Sequence, residues 1–267
     1  MLPLFHCNPI KPLLSGKMKK FKLKLWLTLA FIGILGVASL LLSDIPLDNL
    51  PKEVTDVIPR ETLKLLILIN PTLIVLIITG IGTLVYNRVN LSSPLIEKFL
   101  NRPEQPPFST KKIVTWGMLS GVTAGLLLAG ISKIFTPFLP TVLTDTSQEN
   151  TMSLVTKVMY GGITEELMMR FGLMSLLTWL LFRATKKLNT VVYWIAIILA
   201  SLIFALGHFP MLFQMVTHPS ALTYAYILIG NCVGGLIFGY VYWKKGLESA
   251  FISHAMTHVT MVLVSLL

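Results

Sequence analysis

Charge is scarce in this chain. Only 13% of its 267 residues are Asp, Glu, Lys or Arg, and 54% are apolar, where an ordinary soluble domain carries about 25% charged residues. The shortage excludes a molecule solvated by water over most of its surface and points to a polytopic membrane protein. Cysteine is scarcer still. Cys7 lies in the N-terminal tail and Cys232 inside an apolar run, so neither a disulfide framework nor a thiolate metal site is available, and any metal would need His and carboxylate ligands. Acidic residues are outnumbered, 12 against 22 basic, for a net charge of +10. A basic balance can signal nucleic-acid binding, but here Lys and Arg sit in short loops between apolar runs. There they orient the protein and meet anionic lipid headgroups, and nucleic acid is not an expected partner.

A membrane span needs about 20 apolar residues. Seven stretches qualify, at about 24–42, 62–87, 113–135, 153–182, 190–207, 221–243 and 246–267. The fourth is long enough to be tilted, or split near Gly172, which would raise the count to eight. The expected architecture is therefore an all-α transmembrane bundle of seven to eight spans around a polar intramembrane cavity, with no separate soluble domain. Basic residues alternate between the loops: six up to residue 24, two against five acids over 43–61, five over 88–112, none over 136–152, three over 183–189, none over 208–220, then Lys244 and Lys245. By the positive-inside rule the N-terminus is cytoplasmic and, with seven spans, the C-terminus is outside. Trp116, Trp179, Trp194 and Trp243 fall near the inner ends, where amphipathic rings favour the interface.

The first span reads as an uncleaved anchor, and Met18 as an alternative start to Met1. The segment 88–112, with Pro94, Pro103, Pro106 and Pro107, reads as a polar connector. Gly117, Gly121 and Gly125 recur every four residues, as do Gly230 with Gly234 and Gly235 with Gly239, a spacing expected where helices pack closely. Pro71 is expected to kink the second span. The methionines are expected to pack against helices and lipid.

Against this apolar background stand six polar groups: Glu165, Glu166 and Arg170 in the fourth span, His208 at the end of the fifth, and His254 and His258 in the last. An ionised side chain at the centre of a bilayer costs roughly 2.5 to 3.5 kcal/mol on insertion scales, so such groups mark a site by default. Residues at i and i+4 share a helix face. Glu166 and Arg170 are thus expected to form a charge-neutralising contact, leaving Glu165 as the reactive carboxylate, with Gly161 and Gly162 giving room beside it. His254 and His258 also share a face and suit a joint task, holding a metal or polarising an oxygen. His218 reads as a surface residue and His6 belongs to the tail. At about 1.5 Å per residue, His208 comes out higher in the membrane than the other groups, so convergence requires that the three spans tilt or that the fifth begin deeper.

Glu165-Glu166-x-x-x-Arg170, Phe204-x-x-x-His208 and His254-x-x-x-His258, in that order on successive spans, resemble the motifs of the CPBP family of CAAX proteases and bacteriocin-processing enzymes, also called the Abi family of intramembrane proteases. The resemblance covers about residues 113–267, a protease core set off from a 1–112 segment holding the tail and first two spans. It implies peptide-bond hydrolysis, with Glu165 activating water, His208 as its partner, and His254 with residue 258 stabilising the oxyanion; Glu166, Arg170 and Phe204 fill the remaining motif positions. The family typically has Asn or Asp where this chain has His258. An imidazole there donates a hydrogen bond as an amide does, but also titrates and binds metal.

Two mechanistic variants follow. In one, Glu165 and His208 activate water without metal; in the other, Glu165, His208 and His254 hold Zn²⁺ with an open position for water. The implied partners are membrane lipid and a peptide or protein substrate, either a prenylated protein or a bacteriocin precursor. Buried Glu and His also serve proton and ion relays, so a coupled transporter is one competing class, although no inverted repeat is visible. A non-catalytic bacteriocin immunity or regulatory protein is another, disfavoured because an inactive scaffold has no need to bury all six groups.

Overall fold

The computed structural model describes residues 22–43, 52–101, 109–144 and 152–267. His6, Cys7, Met18, the tail charges before residue 22 and the prolines at 103, 106 and 107 lie outside them. Seven helices are long and apolar enough to cross a membrane: α1 (Leu23–Leu42), α2 (Arg60–Val89), α3 (Thr110–Phe138), α4 (Leu154–Thr185), α5 (Thr190–Met215), α6 (Ala221–Lys245) and α7 (Leu247–Ser265). The protein is an all-α, multi-pass membrane bundle. Its surface is inverted relative to a soluble domain: Leu73, Ile77, Leu119 and Leu126 are exposed, while Thr79, Thr83, Ser201 and Thr257 are buried. Each of those four hydroxyls donates to a backbone carbonyl four residues back. This is the solution a bilayer demands, because its core offers polar groups no water.

The fourth span is one helix. It does not split at Gly172, because that glycine serves a close approach: a Cβ there would come within 2.8 Å of the Ile78 carbonyl oxygen on α2. Much of α4 is π-helical, over Lys157–Glu165 and again over Leu167–Met174. The wider i→i+5 turn packs more residues into each unit of length, which shortens a 32-residue helix toward the thickness of the hydrocarbon core. Such turns are rare and concentrate at functional sites. In α2 the helical ladder is interrupted at Leu68, three residues before Pro71, whose ring crowds the carbonyl four residues back and which has no N–H to donate.

Glycine spacing sets which helices meet. On α3, a Cβ at Gly117 would lie 2.6 Å from Ile252 Cβ, at Gly121 2.5 Å from Met256 Cβ, and at Gly125 2.5 Å from Thr260 Cβ. The stripe therefore seats α7 along its length, and Ser120 to Ser253, Thr257 to Gly121 O and Ser249 to Ile113 O add hydrogen bonds across the seam. Gly235 and Gly239 of α6 approach Ser201 and Ile197 of α5 in the same way, whereas Gly230 faces open space. Gly121→Val is expected to destabilise the protein by more than the ~1 to 3 kcal/mol typical of overpacking, because part of the obstacle is the Ser253 backbone. A melting temperature in detergent equal to wild type contradicts this seating of α7.

The segment after α2 is more ordered than a connector. Leu91, Ser92, Ser93 and Glu97 are buried, and Pro94–Phe99 forms a short helix. Glu248, in the first turn of α7, explains the docking: its Oε1 accepts from Ser93 Oγ and from the backbone N–H of Leu95 and Ile96 at 2.8 to 3.0 Å. Glu97 in turn accepts from the Tyr86 hydroxyl. Gly246, at φ +91°, makes the tight passage from α6 to α7 against Pro94, in a region of backbone space that a side chain disfavours. Side chains on both sides of residue 112 share one core, Leu25, Leu29 and Tyr86 joining Phe171, Ala196 and Tyr242. Lys244 covers the Trp243 ring, Lys245 that of Trp116 and Arg183 that of Trp179.

Candidate active site

Glu165 and Glu166 leave α4 in different directions, and their surroundings differ accordingly. The Glu166 side chain is wholly buried, while that of Glu165 keeps 19% of its surface exposed. Glu166 Oε2 lies 3.3 Å from Arg170 Nε, the i,i+4 contact expected from spacing. Its other oxygen does something spacing does not reveal. Glu166 Oε1 is 2.9 Å from His254 Nδ1 on α7, so one carboxylate bridges the arginine of its own helix and the histidine of another. Because a carboxylate facing Arg170 acts as an acceptor, His254 donates from Nδ1, which leaves Nε2 facing the other way. That nitrogen stands 4.0 Å from Glu165 Oε2.

Arg170 is buried with 1% of its surface exposed. Its Nη2 donates to Gly235 O of α6 at 3.4 Å, and its guanidinium carbon lies 5.3 Å from the Phe204 ring and 5.6 Å from that of Phe238. Two aromatic faces thus flank the cation where little hydrogen bonding reaches it. A neighbouring contact, Thr164 Oγ1 to Gly33 O at 2.9 Å, ties this part of α4 to α1.

His208 follows the last regular turn of α5, which ends at Leu206 before a short helix resumes at Phe209. Its Nδ1 is 2.8 Å from the Phe204 carbonyl oxygen, so that nitrogen is the donor and Nε2 again is left available. The Phe204 ring meets His208 edge to face at 4.7 Å and His254 at 6.3 Å. His208 of α5, His254 of α7 and Arg170 of α4 thus surround one phenyl ring. His258 stacks on His254 at 4.9 Å between centroids and occupies the space beside Gly161, where a Cβ would lie 2.6 Å from its Nε2. Ala255 takes the space beside Gly162. The room these glycines provide is used by α7.

Residues 147–260, which hold all six polar groups, match the family model described as type II CAAX prenyl endopeptidase Rce1-like. Over that stretch the chain is similar to this protease family. This agrees with the CPBP resemblance of its ordered motifs, and the Rce1-like region takes in α4, α5, α6 and most of α7. No curated protein and no solved structure matches the chain.

Two further points bear on the chemistry of this Rce1-like region. Among the described residues, no three His, Cys, Asp or Glu side chains gather closely enough to hold a metal ion. An apolar groove of about 500 Å³ opens between α1 and α2, lined by Trp26, Leu73, Leu76, Ile77, Gly80 and Leu84; none of the motif residues lines it. The residues that sequence reasoning missed are Phe238 and Gly235 of α6, which touch Arg170 and, for Phe238, His254. Gly235 reads from its spacing only as a packing position, and nothing in an apolar helix rich in aromatics singles out Phe238.

Proposed function

We propose that the protein is an intramembrane endopeptidase in which Glu165 activates the attacking water. The observation that carries this reading is the 4.0 Å separation of Glu165 Oε2 from His254 Nε2, with the far side of the imidazole fixed by Glu166. Two acceptors about 4 Å apart suit the two O–H groups of a single water, which leaves its lone pair for a peptide carbonyl carbon. Glu165 takes a proton as the oxygen attacks. It returns that proton to the amine nitrogen when the C–N bond breaks, so the products are an amine and a carboxylic acid, which then loses its proton to give the carboxylate. His208, with Nδ1 committed to Phe204 O, presents Nε2 as the partner of Glu165 in this proton transfer.

On this reading His254 is a water acceptor and not an oxyanion donor, because its Nδ1–H is already used. The oxyanion then falls to His258, in the position where the family typically has Asn or Asp. One oxyanion donor is worth about 10² to 10³ in rate. The substrate class is a peptide or protein that enters the bilayer, either a prenylated protein, as the family description indicates, or a bacteriocin precursor. The enzyme sits in the cell membrane with its N-terminus in the cytoplasm, the side given by the loop charges.

The test is cleavage of a fluorogenic CaaX-type peptide, prenylated and unprenylated, by purified protein in detergent micelles, where no gradient exists. His258→Asn is expected to retain most of the activity and His258→Ala to lose about a hundredfold or more. Pumping in liposomes without any cleavage in micelles transfers the site to the transporter class. Comparison of free protein termini in cells with and without an active site distinguishes the two substrate types.

A further inference from the structure

Three rings lie one above another at the centre of the site. The Phe238 ring stacks on His254 at 4.4 Å between centroids with 21° between planes, and the His258 ring stacks on His254 at 4.9 Å and 23°. Both faces of the imidazole are therefore covered, one by α6 and one by its own helix. Phe204 closes an edge at 89°. Phe238 is itself closely packed: it is 1% exposed, Arg170 lies against it, and α6 approaches α5 closely on either side of it at Gly235 and Gly239.

From this we infer that Phe238 is a positioning residue for hydrolysis, a function that belongs to a helix outside the three motif helices. The inference rests on the water-activating reading of Glu165 and His254. A hydrogen bond from Nδ1 to Glu166 fixes one point of the imidazole, but leaves the ring free to swing about that bond. Pressure on its two faces removes this freedom. The line from Glu166 through the ring to Nε2 is then held toward Glu165, which sets where the water sits. Stacked rings also prefer an offset, near-parallel arrangement, so an aromatic at 238 selects the ring plane as well as filling volume. A small displacement of a catalytic group is enough to cost one or two orders of magnitude in rate.

The experiment compares Phe238→Leu and Phe238→Met, which keep most of the volume but no ring, with Phe238→Tyr, which keeps the ring. The two aliphatic variants are expected to lower kcat by about tenfold to a hundredfold with KM within about twofold, while Phe238→Tyr stays near wild type. A readout independent of turnover accompanies it: the downfield proton resonance of the His254 Nδ1–H, assigned by its loss in His254→Ala, should shift or broaden in the aliphatic variants. Wild-type kcat in Phe238→Leu or Phe238→Met overturns the inference, as does a loss that follows melting temperature or KM. Should the tyrosine hydroxyl prevent folding, the aliphatic pair and the resonance decide alone. If wild type cleaves nothing, the water-activating reading fails; an unchanged resonance in the aliphatic variants then separately removes the positioning of His254 by Phe238.

Discussion

Glu165→Gln is expected to lower peptide cleavage by about 10² to 10⁴ while leaving the melting temperature in detergent close to that of wild type. The amide keeps the shape of the carboxylate but cannot take a proton from water, so the substitution separates chemistry from packing. Stability should hardly change, because Glu165 is partly exposed and its ionic neighbour, His254 Nε2, is 4.0 Å away, beyond a direct hydrogen bond. Substrate affinity should be retained, since the amide still fills the position. Initial rates at saturating peptide, measured on protein whose fold is verified by its melting curve, check the prediction. Cleavage at the wild-type rate would remove Glu165 from the mechanism and leave His254 and His208 as the remaining bases.

Arg170→Ala is expected to act in the opposite manner, through stability first. It deletes a cation that is 1% exposed and leaves Glu166, wholly buried, facing an emptied space. Stranding a buried charge by removing its partner costs about 3 to 5 kcal/mol. The loss also removes the guanidinium from between Phe204 and Phe238 and the bond to Gly235 O, so α4, α5 and α6 all lose a common contact. The double variant Glu166→Gln, Arg170→Leu should recover much of the melting temperature, because no buried charge is left unpaired. Its activity should remain low, since a neutral amide holds the His254 imidazole less firmly than a carboxylate does. A melting temperature for Arg170→Ala indistinguishable from wild type would show that Glu166 has another means of neutralisation.

Much of the architecture was legible because the bilayer imposes a simple rule on composition. Seven apolar runs became seven helices, Pro71 marked the break in α2, and the Gly117, Gly121, Gly125 stripe marked the face of α3 that meets α7. Gly172 misled as a breaking point because a glycine inside a helix signals either weakness or a close neighbour, and only Ile78 of α2 decides which. The docking of residues 92–96 was missed for a related reason: Glu248 reads as an ordinary acidic residue in the first turn of a helix until the backbone N–H groups it satisfies are brought beside it.

The sequence by itself determined which groups are exceptional, because six ionisable or titratable side chains in apolar runs carry a cost that their order along the chain makes hard to attribute to anything but a site. It also determined the Glu166–Arg170 contact, since i,i+4 geometry is local to one helix. Only the tertiary structure decided that Glu166 reaches across to His254, that His208 and His254 meet the same Phe204 ring, and that Phe238 covers the imidazole. Those relations join α4, α5, α6 and α7, and depend on the π-helical turns of α4 and on how closely glycines let backbones approach. Periodicity fixes directions within a helix and says nothing of the angles and depths at which separate helices meet.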